Sequence, residues 1–544
     1  MAKRFGVMLD CSRNAVMRVE ELKKYLLILK KMGYNMIQLY TEDTYEVDNE
    51  PYFGYLRGRY SKAEMKEIVE YCNEIGMEAI PCIQTLAHLN NIFKWGSYKK
   101  INDFSNILLV GEERTYELIE NMVKTVRECY TTDIIHIGMD EAHMLGLGKY
   151  LDKHGHRNRF DILNEHLARV ISICEKYNFK PIMWSDMFYR LANNDFYYDW
   201  SNITDEIVEK KPDGVDLVYW DYYHTEEEFF SGMLASHMRF SGETWFAGGV
   251  WTWMGHTPYT TFSINSMAEA IRACRKVGTD NIFMTLWGDN GRESSFFSVL
   301  PALYTIRRYY DGEEDMAKIK AEFYDIVGVE YDDMMLLELP NAVAGSKREN
   351  PSNIAKTMLW SDVLFGFLDA TVSESAAAEY REIVNKLREG ASRAGEYSYI
   401  FDTLADLSSV MEIKYDLGKR ARDAYDAGDK DALARVAADC DVLVARIEKF
   451  HATFSRQWHK ENKPHGFEIH DSRYGGLIMR IKAVKARILA YLSGEIATLE
   501  ELDEKLLPYD LALDRCFAIN GTPGTPGIPA IDRAAYALSV NNIS

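Results

Sequence analysis

Up to about residue 312, short apolar segments rich in β-forming residues alternate with longer stretches whose apolar positions recur every three to four residues. That is the pattern of repeated strand–helix units around a parallel sheet. The strand-like segments are Phe5–Asp10 (FGVMLD), Asn35–Tyr40 (NMIQLY), Met77–Ile83 (MEAIPCI) and Asp133–Met139 (DIIHIGM) in the first half. Lys180–Trp184 (KPIMW), Val215–Trp220 (VDLVYW), Phe246–Trp251 (FAGGVW) and Asn281–Trp287 (NIFMTLW) complete the set. Eight in succession predict a closed (β/α)8 TIM barrel, an α/β fold, where five or six would predict an open doubly wound sheet. Between them, Glu20–Lys31 and Ser61–Ile75 read as amphipathic helices, with Ser61 placed to cap the second.

After residue 312 the pattern changes. Ala377–Ala394 and Asp429–Phe450 are rich in Ala, Leu, Glu, Lys and Arg, so a mostly α-helical C-terminal domain over residues 313–544 is expected to follow a barrel over residues 1–312. Gly521–Pro529 (GTPGTPGIP) cannot continue a helix and reads as a loop or a laid-down tail. Trp458–Gly476 (WHKENKPHGFEIHDSRYGG) is dense in polar side chains and reads as an ordered loop packed on the barrel.

Composition narrows the function. No run approaches the ~20 consecutive apolar residues of a membrane helix, and the start MAKRFGVMLD leads into a strand and not into a signal-peptide core. A cytoplasmic location is expected. The eight cysteines, at positions 11, 72, 82, 129, 174, 274, 440 and 516, show no metal-ligand spacing and read as buried thiols. The net charge of −20 opposes nucleic acid and anionic membranes. A neutral small molecule or oligosaccharide fits better, with a second copy of the chain as a candidate partner in a homodimer.

In a TIM barrel the site is built at the carboxyl ends of the strands. The segments here end in Asp10 and Arg13, Glu42 and Asp43, Gln84 and His88, Asp140 and Glu141, Trp184 and Asp186, Trp220 to Tyr223, Trp251 and Trp253, and Trp287 and Asp289. Each of the last four strand ends carries a tryptophan, and aromatic walls suit the apolar faces of a pyranose ring. The sharpest local signal is HIGMDEAH, His136–His143, in which a strand ends in two adjacent carboxylates. Adjacent side chains leaving a strand point different ways, so each can meet a different part of one substrate.

Asp140-Glu141-Ala142-His143 also spells a helicase box, but no Gly-Lys followed by Ser or Thr exists to cradle a phosphate. A metal hydrolase built on His136, Asp140 and His143 lacks any zinc-ligand spacing, so no metal or other cofactor is expected. A sugar-binding barrel that had lost its chemistry would be expected to lack one carboxylate, and both are present.

The motif His136-Ile-Gly-Met-Asp-Glu141 resembles the His-x-Gly-Gly-Asp-Glu signature of glycoside hydrolase family 20, the β-N-acetylhexosaminidases, with Met139 in place of the second Gly. Leu9-Asp10-Cys11-Ser12-Arg13 is similar to the family's first-strand motif, and Gln84-Thr85-Leu86-Ala87-His88 keeps the Thr and His of its Asp-Thr-Pro-Gly-His. Leu286-Trp287-Gly288-Asp289 is similar to its Trp-Gly-Glu, with Asp for Glu. The resemblance covers roughly residues 5–291 and, with the helical tail, points to the intracellular bacterial subgroup.

The resemblance implies a retaining, exo-acting enzyme in which the substrate's 2-acetamido oxygen attacks the anomeric carbon. It assigns Glu141 as general acid and base, an acid whose pKa a neighbouring carboxylate and partial burial should raise. It makes Asp140 the group that orients the acetamido N–H, and Arg13 the grip on the sugar's 3- and 4-hydroxyls. Glu42 and His88 would form a relay behind Glu141, with His136 also supporting the site. Tyr222 or Tyr223 would meet the acetamido carbonyl, Trp184, Trp220, Trp251, Trp253 and Trp287 would wall the pocket, and Asp289 would bind substrate. In this setting Trp458–Gly476 has a second reading, as a segment reaching the sugar site of its own or a partner copy.

Overall fold

The computed structural model describes residues 3–346, 348, 353–366 and 368–507. Its eight strands are Arg4–Asp10 (β1), Met36–Tyr40 (β2), Glu78–Cys82 (β3), Ile134–His136 (β4), Lys180–Trp184 (β5), Asp216–Trp220 (β6), Thr244–Gly249 (β7) and Asn281–Leu286 (β8). They form a closed barrel in chain order, every neighbouring pair parallel, with β8 pairing back onto β1. Each predicted segment overlaps one strand, with β1 starting one residue and β7 two residues earlier than predicted. β4 is shorter than its apolar run suggests because Gly138 and Met139 take left-handed backbone, φ 70° and 71°, which ends the ladder two residues after His136.

Local chemistry explains the helices between strands. Val19–Lys31 buries Leu22, Tyr25, Leu26 and Leu29 on one stripe, with Glu20 and Glu21 in its first turn and Lys30 and Lys31 in its last, the arrangement its dipole favours. At the start of Lys62–Glu74, Ser61 Oγ accepts from Glu64 N at 3.1 Å while Glu64 Oε2 accepts from Ser61 N at 2.8 Å, a reciprocal cap.

The chain divides into two compact units. The first holds the described residues of Met1–Val250, Ser266–Trp287 and Thr305–Glu314, and the second those of Trp251–Asn265, Gly288–Tyr304 and Asp315–Ser544. The segments that follow β7 and β8 therefore group with residues beyond the change of composition near 312.

The second unit is dominated by the long helices Ala376–Arg393, Ser398–Asp426, Lys430–Glu461 and Phe467–Ser493. Its core contains an ion pair, Lys356 Nζ to Glu293 Oε2 at 2.6 Å, with both side chains 1% exposed. Burial alone would raise the Glu293 carboxyl, but Lys356, His256 and His470 hold it below the usual range.

The segment Trp458–Gly476 differs from the predicted loop: only residues 462–466 lie outside a helix. Its polar side chains are instead aimed at distant carbonyls of the same unit, His470 Nε2 at Gly291 O (2.8 Å) and Arg473 Nη1 at Asn290 O (2.7 Å). The seven described cysteines are unbridged and buried, and no described helix is long and apolar enough to cross a membrane. Cys516 and the predicted loop Gly521–Pro529 lie outside the described residues.

Candidate active site

Register places Asp10 beside Tyr40, Tyr40 beside Cys82, and Cys82 beside His136, so the carboxyl ends of β1 to β4 arrive at one level. The turns that leave them are unusual. Glu42, His88, Met139 and Glu141 all have left-handed backbone, φ 45°, 59°, 71° and 51°. Such conformations cost of order 1–3 kcal/mol each for a residue other than glycine and persist only where the surroundings hold them. Gly138, between β4 and this run, has no alternative, because a Cβ there would meet Gln84 Oε1 at 2.1 Å.

These turns gather a polar network. Gln84 Nε2 donates to Asp140 Oδ1 at 2.7 Å and to Tyr40 OH at 3.0 Å, while Gln84 Oε1 accepts from Met139 N at 3.2 Å. Asp140 is thus oriented from the segment that follows β3. His88 Nε2 stands 3.2 Å from Asp140 Oδ2 and 3.6 Å from Glu141 Oε2. Burial disfavours the imidazolium, but Asp140, Glu141 and Glu42 outweigh it and bring His88 up to about 9. Burial likewise opposes the Asp140 carboxylate, and His88 and Gln84 overcome it, holding the group at about 2. Asp140 is therefore ionised across the physiological range.

Glu141 leaves the turn the other way, as adjacency requires. Its Oε1 lies 3.6 Å from Arg190 Nη2, and its backbone N–H donates to Asp186 Oδ2 at 3.0 Å, an oxygen that also accepts from Arg190 Nε at 2.9 Å. Burial lifts the Asp186 carboxyl to about 6 against the pull of Arg190. With its side chain 31% exposed beside 13% for Asp140, Glu141 is the more open of the two carboxylates.

Arg13 and Glu42 form an ion pair in which Glu42 Oε1 also accepts from Tyr40 OH at 3.0 Å. Glu42 makes its direct contacts with Arg13 and Tyr40, and His88 makes its own with the two carboxylates of the pair; Glu42 acts on His88 through the field. His136 Nδ1 accepts from Gly138 N at 3.1 Å, and burial lowers this imidazole to about 3, so it stays neutral. Its ring packs on Trp184 (centroids 4.4 Å apart), Trp184 on Trp287 (6.2 Å), and Trp287 edge-on to Tyr40 (4.7 Å). Trp220 stacks on Tyr222 at 5.3 Å, and Tyr222 meets Tyr223 at 5.8 Å. Burial and the hydrogen bonds to Trp287 and Thr285 act in opposite senses on the Tyr222 phenol, and burial prevails.

Trp251, Trp253 and Asp289 belong to the second unit. There the two indoles stack at 4.7 Å, with Phe262 edge-on to Trp251 at 5.0 Å, and Asp289 precedes the Asn290 and Gly291 carbonyls held by Arg473 and His470. Sequence reasoning missed Tyr40 and Arg190 as site residues and named Gln84 as a strand end without giving it a role. Tyr40 and Gln84 were legible as strand ends, whereas Arg190 lies on the helix Asp186–Ala192 and carried no signal.

His88, Asp140 and Glu141 are also the group among the described residues whose ligand atoms lie within 4.8 Å of one another, a spacing that a cation can bridge. A metal there would have to displace the proton that two carboxylates hold on His88.

A parallel barrel with paired carboxylates and aromatic rings gathered at its strand ends is the layout of a TIM-barrel enzyme site. Residues 4–228 match the model of the glycosyl hydrolase family 20 catalytic domain, and residues 332–516 match that of the glycoside hydrolase 20C C-terminal domain. The chain belongs to glycoside hydrolase family 20. It is 25% identical to Hexosaminidase D of Bos taurus over 248 residues, 43% of this chain and 67% of that protein. It is also 25% identical to a probable beta-hexosaminidase of Arthroderma benhamiae over 253 residues, 39% of this chain and 41% of the relative. The chain thus spans about two fifths of the fungal relative's length. Among solved structures, the GH20 exo beta-N-acetylglucosaminidase of Vibrio harveyi aligns with TM-score 0.47 and 13% identity over 62% of this chain and 58% of its own.

Proposed function

We propose that the protein is an exo-acting, retaining β-N-acetylhexosaminidase that removes terminal β-linked N-acetylglucosamine or N-acetylgalactosamine by substrate-assisted catalysis. The observation that carries this reading is the division of the Asp140–Glu141 pair into two environments. Asp140 is buried, ionised and fixed by Gln84 and His88, which suits a group that orients an acetamido N–H and balances charge on a cyclised intermediate. Glu141 is more open and loosely held, which suits a group that passes a proton to the leaving oxygen and later takes one from water. The acetamido oxygen closes on carbon 1 as the glycosidic bond breaks, and water then opens the ring from the face the leaving group occupied, so configuration is retained. Arg13, ion-paired but part-exposed, suits a grip on the sugar's hydroxyls, and Trp287, Trp220 and Tyr222 suit its ring and acetamido group, whereas Trp184, 1% exposed, is packed behind Trp287 and not on the sugar. A cytoplasmic location is proposed with this activity, supported by the unbridged thiols.

A β-N-acetylglucosaminide should be hydrolysed equally with and without chelator, and the matching β-glucoside, which lacks the internal nucleophile, should be inert. A thiazoline mimic of the cyclised intermediate should inhibit strongly, and Asp140→Asn should slow turnover severely. Covalent labelling of any carboxylate by a 2-fluoro glycoside would establish double displacement and overturn the proposal.

A further inference from the structure

The segments that follow β2 and β3 carry more than Glu42 and His88. Tyr52 and Tyr55 are each 43% exposed and Leu56 is 68% exposed. Trp95, seven residues beyond His88, completes the cluster: Tyr52 and Tyr55 lie 6.0 Å apart between ring centroids, and each is 5.4 Å from Trp95. Leu56 also has left-handed backbone, φ 63°. A bulky side chain in that region is strained, and an exposed leucine recovers nothing by burial. Folding offsets neither cost, and contiguous exposed apolar groups mark binding surfaces.

The position of this cluster is fixed by contacts within the barrel unit. Gly54 approaches Asp43 so closely that a Cβ would sit 1.9 Å from the Asp43 carbonyl oxygen. Arg57 donates through Nε to Asp43 Oδ1 at 3.1 Å and through Nη2 to the Ser12 carbonyl. The turn bearing Tyr52, Tyr55 and Leu56 is thereby clamped against the neighbours in sequence of Arg13 and Glu42. Burial raises the Asp43 carboxyl to about 6 against Arg57, so the clamp is made inside the protein.

The geometry points to Tyr52, Tyr55, Leu56 and Trp95 as a platform for the leaving-group sugar, the residue on the reducing side of the bond to be cleaved. The inference rests on the proposed hydrolase activity and adds to it where the second sugar lies. Rings already packed on one another lose little freedom when a pyranose stacks on them, and their apolar faces match its C–H face. Exposed rings on a turn bonded to Ser12 and Asp43, the sequence neighbours of Arg13 and Glu42, fit a site that grips one sugar by its hydroxyls and lets the next lie across the rim.

The test compares two substrates of the full-length protein: a β-N-acetylglucosaminyl fluoride, whose leaving group cannot stack, and the β-linked disaccharide of N-acetylglucosamine. In the Tyr55→Ala/Trp95→Ala variant, the ratio of kcat/KM for disaccharide over fluoride should fall by about tenfold. Leu56→Gly, which relieves the backbone and so folds readily, should lower the same ratio about threefold. Thermal melting confirms that both variants are folded. A ratio unchanged in both variants would overturn the platform, as would a lowered sedimentation coefficient showing that the surface joins two copies of the chain. Wild-type protein inert to the fluoride would instead overturn the activity, so the two failures are distinguishable.

Discussion

Removing the charge of His88 offers a direct test of the electrostatics that organise the site. The imidazole titrates at 6.5 when exposed and at about 9 in the fold, against burial and because of Asp140, Glu141 and Glu42. A rise of that size corresponds to about 3 kcal/mol of stabilisation of the folded state. The lowering of Asp140 to about 2 is the other face of the same contact and is counted once. Because the folded pKa of His88 is raised, its contribution is fully present below pH 6.5 and is lost as pH rises through 9. In His88→Gln the contribution is absent at every pH. Urea unfolding of the two proteins side by side at pH 6, 8 and 10 should therefore show a stability gap that narrows by about 3 kcal/mol between the lowest and highest pH. The variant also leaves Asp140 buried with Gln84 as its nearest support, so its carboxyl rises and the acid limb of the activity profile moves to higher pH. A stability gap of constant size from pH 6 to pH 10 would show that His88 is neutral in the fold, and the account of an ionised, imidazolium-paired Asp140 would fail.

Arg13→Ala removes the guanidinium paired with Glu42; charge-assisted contacts of this kind are worth roughly 1.5 to 3 kcal/mol each, so kcat/KM should fall well over tenfold. A steady-state assay showing near-normal efficiency would remove Arg13 from the site. Glu141→Gln keeps shape but carries no transferable proton, so its loss of rate should be smaller for a nitrophenyl glycoside than for a sugar leaving group. Equal losses on the two substrates would exclude Glu141 as the acid.

Periodicity made the barrel legible because each strand is a short apolar run closed by polar residues, and all eight runs hold strands. The end of β4 was less so. Ile137, Gly138 and Met139 look like more strand, and only the backbone angles show where the ladder stops. The carboxylate pair, His88, Arg13 and its partner Glu42 stood out as chemically active types at strand ends, whereas the parts played by Tyr40, Gln84 and Arg190 did not. Gln84 and Tyr40 act through hydrogen bonds between strands far apart in sequence, and Arg190 acts from a helix after β5. Trp458–Gly476 misled for a related reason. Polar residues there suggest a loop, but His470 is fully buried in a helix with its ring nitrogen on a carbonyl 179 residues away, a partnership that local pattern does not encode.

The left-handed backbone at Glu42, His88, Met139 and Glu141 bears on how this protein can be improved. Glycine or asparagine relaxes the chain where it is bent, so selection for heat resistance will reward either at Glu42, Glu141 and Met139, but not at His88, whose ion pair contributes about as much as the strain costs. At Glu42 and Glu141 the reward comes with the loss of a side chain of the proposed site, so on that reading the hardiest clones from such a screen will be inert. At Met139, where the family signature carries glycine, relaxation removes only a buried methionine. Thermal hardening and turnover are thus opposed at Glu42 and Glu141, aligned at His88 and separable at Met139, and a library that fixes Glu42, His88 and Glu141 while varying Met139 avoids the conflict.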